Sequence, residues 1–257
     1  MNKYTIYNSN CITTMQNLQD NSIDMVLADL PYGCTHNTFD NKLPLQSLWA
    51  QLERVCKPTA NILLFANYKY DHELRASNEK NFRYEIIWVK NKSTGFYNVN
   101  HRPLVQHEKV LIFSKKKGTW NPQMSKGHPP MHYARRKPAS PGTYGAVKKA
   151  YVSQPRTDRF PTTIIAFPVV NNGVKARLHP SQKPVPLLEY LIRSYSNENE
   201  MVLDVTMGSG STGEACILTQ RSFIGIELQT YFCDAANKRL STALIVNKSS
   251  SALHIVP

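Results

Sequence analysis

The sequence predicts an α/β protein, a mostly parallel β-sheet with helices on both faces. Two features predict it. Short apolar runs of strand length recur along the chain, several apolar at nearly every position, as in parallel strands buried on both sides. Amphipathic segments of helical period lie between them, and strands alternating with helices build such a sheet. Composition agrees. The chain has 257 residues, 41% hydrophobic with only 11 Gly, which excludes a fibrous or disordered protein and suffices for a large core. No apolar run approaches the roughly 20 residues that span a bilayer, and no apolar stretch after Lys3 suggests a secretory signal. The five cysteines (Cys11, Cys34, Cys56, Cys216 and Cys233) are odd in number and lack CxxC spacing. They read as reduced thiols of a cytoplasmic protein, not as a disulfide framework or zinc knuckle.

The elements are expected in this order. Strands fall at Ile23–Ala28, Ile62–Ala66, Tyr84–Val89, Lys109–Ser114, Met201–Val205 and Phe223–Glu227. Leu45, Leu48, Trp49, Leu52, Val55 and Cys56 share one helical face. Pro184–Tyr195 opens with prolines suited to a first helical turn and then becomes apolar. Ser211–Gln220 and Thr230–Leu240 are further helices, and the tail 241–257 is ambiguous, an edge strand being one reading.

Positive charge is concentrated. Lys and Arg number 31 against 18 Asp and Glu, a formal net charge of +13. Residues 115–175 hold eight Lys, four Arg and one acid, Asp158, and so carry +11 of that charge. The same stretch has eight of the 16 prolines and six aromatic residues. Proline density argues against long helices there. Cations neutralise phosphates and aromatic rings stack on bases, so nucleic acid is the expected partner. A solvated basic loop is the plainer reading. The chain is therefore expected to form one domain over 1–257, with 115–175 as a basic insert.

Three motifs carry chemistry. Asp29-Leu30-Pro31-Tyr32-Gly33 follows the strand Ile23–Ala28, and ligands of open α/β sheets bind beyond such carboxyl ends. Asp29 and the Leu30 carbonyl could accept two N–H bonds from a planar amine while Tyr32 stacks on it. Val202 to Gly213 (VLDVTMGSGSTG) and Ile224-Gly225-Ile226-Glu227 form a strand, a glycine turn, a helix and a second strand ending in an acid. The glycines admit a ligand to the helix N-terminus, and Glu227 stands where an acid binds ribose hydroxyls. Gly208-x-Gly210-x-x-Gly213 also satisfies the dinucleotide fingerprint of a dehydrogenase, but little chain follows Glu227 for a second nucleotide-binding half. Asp204, just before the glycines, suits a cationic ligand better than a pyrophosphate, which favours S-adenosylmethionine. His179-Pro180-Ser181-Gln182-Lys183-Pro184 reads alone as a structural turn, and no metal site is expected at His179.

In this order and spacing the motifs resemble the beta group of amino-methylating DNA methyltransferases. In that family an Asp-Pro-Pro-Tyr-like motif, a variable recognition segment, an HPTQKP-like motif and a DPFMGSGTT-like cofactor loop follow one another. Trp88-Val89-Lys90, Arg102-Pro103 and His107-Glu108 through Phe113-Ser114 look like its intermediate motifs. The resemblance implies the Rossmann-like S-adenosylmethionine-dependent methyltransferase fold with a circularly permuted motif order, and a basic target-recognition region at 115–175. It implies catalytic roles for Asp29, Leu30, Pro31 and Tyr32. It implies cofactor contacts from Asn10, Asp29, Ser181, Lys183, Asp204, Thr206, Met207, Gly208, Gly210 and Glu227. Departures from the pattern are Leu30 for the first proline, Val205-Thr206 for Pro-Phe, and Asn10 for an Asp. An Asp opening the catalytic motif is similar to the adenine-N6 enzymes, whereas Ser is usual for cytosine-N4.

The expected activity is methylation of adenine N6 in double-stranded DNA, with the base flipped out. Lys126, Arg135, Arg136, Lys137, Lys148, Lys149, Arg156 and Arg159 are the expected DNA contacts. The resemblance also allows a homodimer and points to the cytoplasm of a bacterial or phage-type host. An inactive DNA-binding relative, a cytosine-N4 enzyme and an RNA methyltransferase are the alternatives.

Overall fold

The computed structural model describes residues 4–33, 41–130, 135–136, 151–152, 156–171, 178–179 and 181–252. Its elements are β1 (Tyr4–Asn8), α1 (Cys11–Gln16), β2 (Ile23–Ala28), α2 (Leu45–Val55), β3 (Cys56–Ala66), α3 (Tyr68–Ala76), β4 (Phe82–Thr94) and β5 (Val105–Phe113). These are followed by β6 (Arg135–Arg136), β7 (Tyr151–Val152), β8 (Ile164–Ala166), α4 (Val185–Tyr195), β9 (Met201–Asp204), α5 (Ser211–Leu218), β10 (Ser222–Glu227) and α6 (Thr230–Ala252).

Eight strands form one sheet in the order β1-β10-β9-β2-β3-β5-β4-β8. Only β5 runs antiparallel to its neighbours. The apolar run of β2 is explained by its central place. Met25 and Leu27 pack into one core with α4, α5 and α6, through Leu188, Leu191, Cys216, Ala236 and Leu240. Val26 and Ala28 point the other way, into a second core with Leu48, Leu52, Val55 and Leu74 of α2 and α3. Alternate residues of a strand face opposite sides, so a strand covered on both faces is apolar throughout. No described helix is long and apolar enough to cross a membrane.

The sheet also places the site. β2 and β9 are parallel neighbours, with Val26 opposite Leu203. Their carboxyl ends, and so Asp29 and Asp204, come out side by side. β9 continues to β10 on one flank and β2 to β3 on the other. Strand order reverses here, and the loops diverge to leave a crevice.

The tail, ambiguous in sequence, is helical as far as it is described, not an edge strand. Residues 241–252 continue α6, and 253–257 lie outside the described residues. The run Ala243-Leu244-Ile245-Val246 has strand-like composition, but its burial has helical period. Ala236, Leu240 and Ala243 are buried, whereas Ile245 and Val246 are exposed. β1, α1, α3 and β8 were not expected. β1 is a short, half-exposed edge strand without a continuous apolar signal.

The chain divides into two compact units, one running to Asn121 and resuming at Thr163, the other Pro122–Thr162. Both flanks of the expected insert pack within the first unit. Trp120 lies 5.2 Å from the Tyr195 ring, and Ile165 is buried in the core. Within the second unit, Ser125 bridges Arg159, and β6 pairs antiparallel with β7.

Candidate active site

A cavity of about 810 Å³ opens at the carboxyl ends of β2, β9 and β10. Its wall includes Asn10, Asp29, Leu30, Pro31, Tyr32, Ser181, Lys183, Asp204, Thr206, Met207, Gly208 and Glu227. Three motifs far apart in sequence therefore converge. Gly210, the remaining residue expected to touch cofactor, is absent from the wall. It precedes α5 with φ +77°, and a Cβ there would stand 2.8 Å from Ala236 Cβ and 2.9 Å from Leu240 Cδ1. Gly210 thus serves the approach of α6, a packing role that turn chemistry in the sequence did not reveal.

Asp29 sits in a network. Tyr32 donates its hydroxyl to Oδ1 at 2.5 Å, and Lys183 Nζ donates to Oδ2 at 2.5 Å. The Tyr32 ring leans on Tyr70, with centroids 5.1 Å apart. Glu108 lies on the far side of Lys183, with Oε2 3.4 Å from Nζ, and takes Lys90 Nζ on Oε1 at 2.9 Å. Burial pushes the Asp29 carboxyl above the usual carboxylate range, and Lys183 opposes this without overcoming it. Burial alone would lower Lys183, but Asp29 and Glu108 together hold it up at about 12. Burial likewise works against Glu108, whose two ammonium neighbours keep its carboxyl below the usual value.

Lys90 and Glu108 were not among the expected site residues, although strand parity gives a signal for both. Ile86 and Trp88 of β4 are buried, and Lys90 is the next residue on that face. Val110 and Ile112 of β5 are buried, and Glu108 is the preceding one. A charge at a core-facing strand position needs a partner, and each found the other.

The glycine loop positions two further acids. Asp204 accepts from the Thr206 N–H at 3.0 Å and from the Thr212 hydroxyl at 2.6 Å. Its carboxyl is pushed up to about 7, first by burial and then by the neighbouring charges of Asp29 and Glu227. Glu227 accepts from the Gly208 N–H at 2.9 Å and the Gln229 N–H at 2.8 Å, and burial raises it too. Thr206 has a role of its own. Its hydroxyl donates to the Asp29 carbonyl at 3.1 Å, tying together two loops 177 residues apart in sequence. Asn10 caps α1, its Oδ1 accepting from Ile12 N–H at 2.9 Å and Thr13 N–H at 3.3 Å.

The third motif is more than a turn. His179 packs on Phe232 with centroids 4.2 Å apart, and its Nδ1 accepts from the Ser181 N–H at 3.0 Å. Gln182 Oε1 accepts from the Leu178 N–H at 2.9 Å and from Ser209 Oγ at 3.4 Å. These bonds set the segment before α4 against the glycine loop and deliver Lys183 to Asp29. Cys11, Cys56, Cys216 and Cys233 are all buried, and burial raises each thiol, which disfavours the nucleophilic thiolate. Cys34 lies outside the described residues. Among the described residues no metal-binding group of His, Cys, Asp and Glu occurs.

Residues 23–238 match the family described as DNA methylase. The chain belongs to that family. Similar methylases include the Type II methyltransferase M2.MboI of Moraxella bovis, 29% identical over 260 residues, spanning 92% of this chain and 87% of that one. Another is M.HpaI of Haemophilus parainfluenzae, 30% identical over 250 residues, spanning 91% and 73%. Among solved structures, an M1.HpyAVI–SAM complex superposes with a TM-score of 0.61 at 26% identity, over 92% of this chain and 98% of that chain. The cytosine-N4-specific PvuII DNA methyltransferase gives 0.66 at 15% identity, over 96% and 92%, and so shares the fold.

The cations expected on DNA fare differently in this methylase. Lys126 is exposed, and Arg135 and Arg136 form β6. Arg156 makes a two-pronged contact with Asp158 at 2.7 and 2.9 Å and lies over Phe160. Arg159 donates to the carbonyls of Arg156, Asp158 and Pro129. The last two arginines thus brace the smaller unit itself. Lys137, Lys148 and Lys149 lie outside the described residues.

Proposed function

We propose that this methylase transfers a methyl group from S-adenosylmethionine to the N6 amine of adenine in double-stranded DNA. The observation that carries the reading is the juxtaposition of Asp29, with its amine-accepting loop, and the acidic glycine-loop pocket at one switch point. The pocket fits the cofactor by its chemistry. Asp204 is a buried acid and Glu227 a half-buried one, both are held by hydrogen-bond donors, and burial raises both, so a cationic ligand relieves them. Gly208, at φ +52° in the wall, leaves its backbone open to a ligand. Glu227 would hold the ribose hydroxyls, Asn10 the adenine, and Asp204 the cationic amino-acid end.

When bound, S-adenosylmethionine supplies a methyl group activated by a sulfonium. The chain's own residues prepare the amine. An exocyclic amine is a poor nucleophile because its lone pair is delocalised into the ring. Donation of its two N–H groups to Asp29 and the Leu30 carbonyl favours a tetrahedral nitrogen and stabilises the positive charge that develops there. Tyr32, steadied by Tyr70, offers a face for the flipped base. Holding amine and methyl group in line supplies much of the rate. Aspartate at position 29, where the cytosine-N4 enzymes usually carry serine, supports adenine.

The test is incubation with labelled S-adenosylmethionine and, in parallel, duplex DNA or RNA, followed by digestion to nucleosides. Labelled N6-methyl-2′-deoxyadenosine from the DNA is expected. Labelled N4-methylcytosine would overturn the choice of base, label in RNA alone the choice of nucleic acid, and no label with DNA still bound the activity itself.

A further inference from the structure

Four charges from four segments meet beside the proposed target amine: Asp29 after β2, Lys90 on β4, Glu108 on β5 and Lys183 before α4. Their arrangement is unsymmetrical. Lys183 Nζ is 2.5 Å from Asp29 Oδ2 but 3.4 Å from Glu108 Oε2. The longer contact is an ion pair whose geometry falls short of a full hydrogen bond. Glu108 Oε2 is buried and has no hydrogen-bond partner among the described residues, while Oε1 is held by Lys90. A buried carboxylate oxygen held only by a long ion pair is under-satisfied, and a native one calls for an explanation.

Asp29 presents the complementary problem. Tyr32 occupies one of its oxygens and Lys183 the other. An ammonium on Oδ2 crowds the oxygen to which an amine would donate. It also cancels the negative charge that should stabilise a cationic nitrogen. In this state Asp29 is closed to the role given it above.

We propose that Lys183 is handed from Asp29 to Glu108 when the target amine enters, and that Glu108 is the positioning residue that frees Asp29. The proposal rests on the methyl-transfer reading. The movement is small, from 3.4 Å to the ~2.8 Å of a charge-assisted hydrogen bond, within reach of a flexible lysine stem. No proton moves and the charge count is unchanged, and one N–H of the amine takes the place of the ammonium on Asp29 while the other goes to the Leu30 carbonyl. The face of Phe65, 4.8 Å from Nζ, gives the ammonium a further favourable neighbour.

The test compares wild type, Glu108→Gln, Glu108→Asp, Lys183→Met and the Glu108→Gln/Lys183→Met double variant. Methyl transfer to duplex DNA is measured in single turnover at saturating S-adenosylmethionine, with cofactor Kd by calorimetry and folding by thermal melting. Gln removes the charge that attracts Lys183. Asp keeps the charge count and retracts the carboxylate. Each is expected to slow single-turnover transfer about tenfold or more while leaving cofactor Kd within about twofold. In the Lys183→Met background, Glu108→Gln is expected to change the rate by less than about twofold, because its effect runs through the missing ammonium. Wild-type rates in a folded Glu108→Gln or Glu108→Asp protein would overturn the proposal. So would equal slowing by Glu108→Gln with and without Lys183, which would mark a direct or merely structural role. If Lys183→Met is itself inactive, the split between rate and cofactor Kd in Glu108→Asp decides. Failure of the methyl-transfer reading is separately visible, because the wild type would then transfer nothing.

Discussion

Replacing Asp204 by Asn should strengthen the free protein while weakening its hold on the cofactor. The carboxyl is raised from 3.8 to about 7, chiefly by burial. Between those values the folded state holds a proton that the unfolded state has lost, so this group's contribution to stability falls as pH rises. Above about pH 7 the full penalty applies. At about 1.4 kcal/mol per unit, it grows from about 1 kcal/mol near pH 4.5 to about 4 kcal/mol at pH 8. Asparagine carries no charge. Its carbonyl can still accept from the Thr206 N–H, and its amide can donate to the Thr212 hydroxyl, so the local geometry persists. Urea unfolding of cofactor-free Asp204→Asn and wild type, at pH 4.5 and pH 8, should show the variant gaining stability mainly at the higher pH. Calorimetry at pH 8 should show cofactor affinity falling at least about tenfold, because the cationic ligand loses its buried counter-charge. A stability gap that does not widen with pH, or unchanged cofactor affinity, would refute this account of Asp204.

The same acid makes cofactor binding pH-dependent in the wild type. Affinity should rise up to about pH 7 and then level, with protons released on binding below that pH, as calorimetry in buffers of different ionisation enthalpy would show. Asp29→Ala should lower methyl transfer by about 10²–10³ or more with DNA affinity largely kept, checked by single-turnover rates and gel shift. Gly210→Ala should destabilise by at least about 2 kcal/mol, since the new Cβ meets Ala236 and Leu240 and φ is positive. Gly208→Ala meets nothing closer than 3.5 Å and should cost about 1 kcal/mol, the strain of its backbone, so melting curves should rank the two. Removing the charges of Arg135, Arg136, Lys148 and Lys149 should flatten the salt dependence of DNA binding by about 0.9 in log–log slope for each lost phosphate contact. An unchanged slope would remove those residues from the interface.

The parts of this methylase that were legible in its sequence are those specified locally. β2 is legible at its observed bounds because its apolar run is continuous and ends at Asp29. The glycine loop and Glu227 were legible because strand, turn, helix and strand follow one another within one unit. What escaped depends on neighbours that only the fold supplies. Gly210 looks like its cofactor-facing neighbours in the motif, yet α6 claims it. Thr206 looks like a loss relative to the family pattern, yet its hydroxyl holds the Asp29 loop. Arg156 and Arg159 look like phosphate ligands by charge, yet a nearby acid and backbone carbonyls already engage them. Lys90 and Glu108 are the instructive pair. Each violates the apolar rule for its strand face, and alone each would be an unstable choice. Together with Lys183 and Asp29 they form a neutral cluster whose members can exchange partners without a change of charge. Buried apolar pairs in the same positions would pack as well and more cheaply, so the cluster is better explained by the chemistry at Asp29 than by stability.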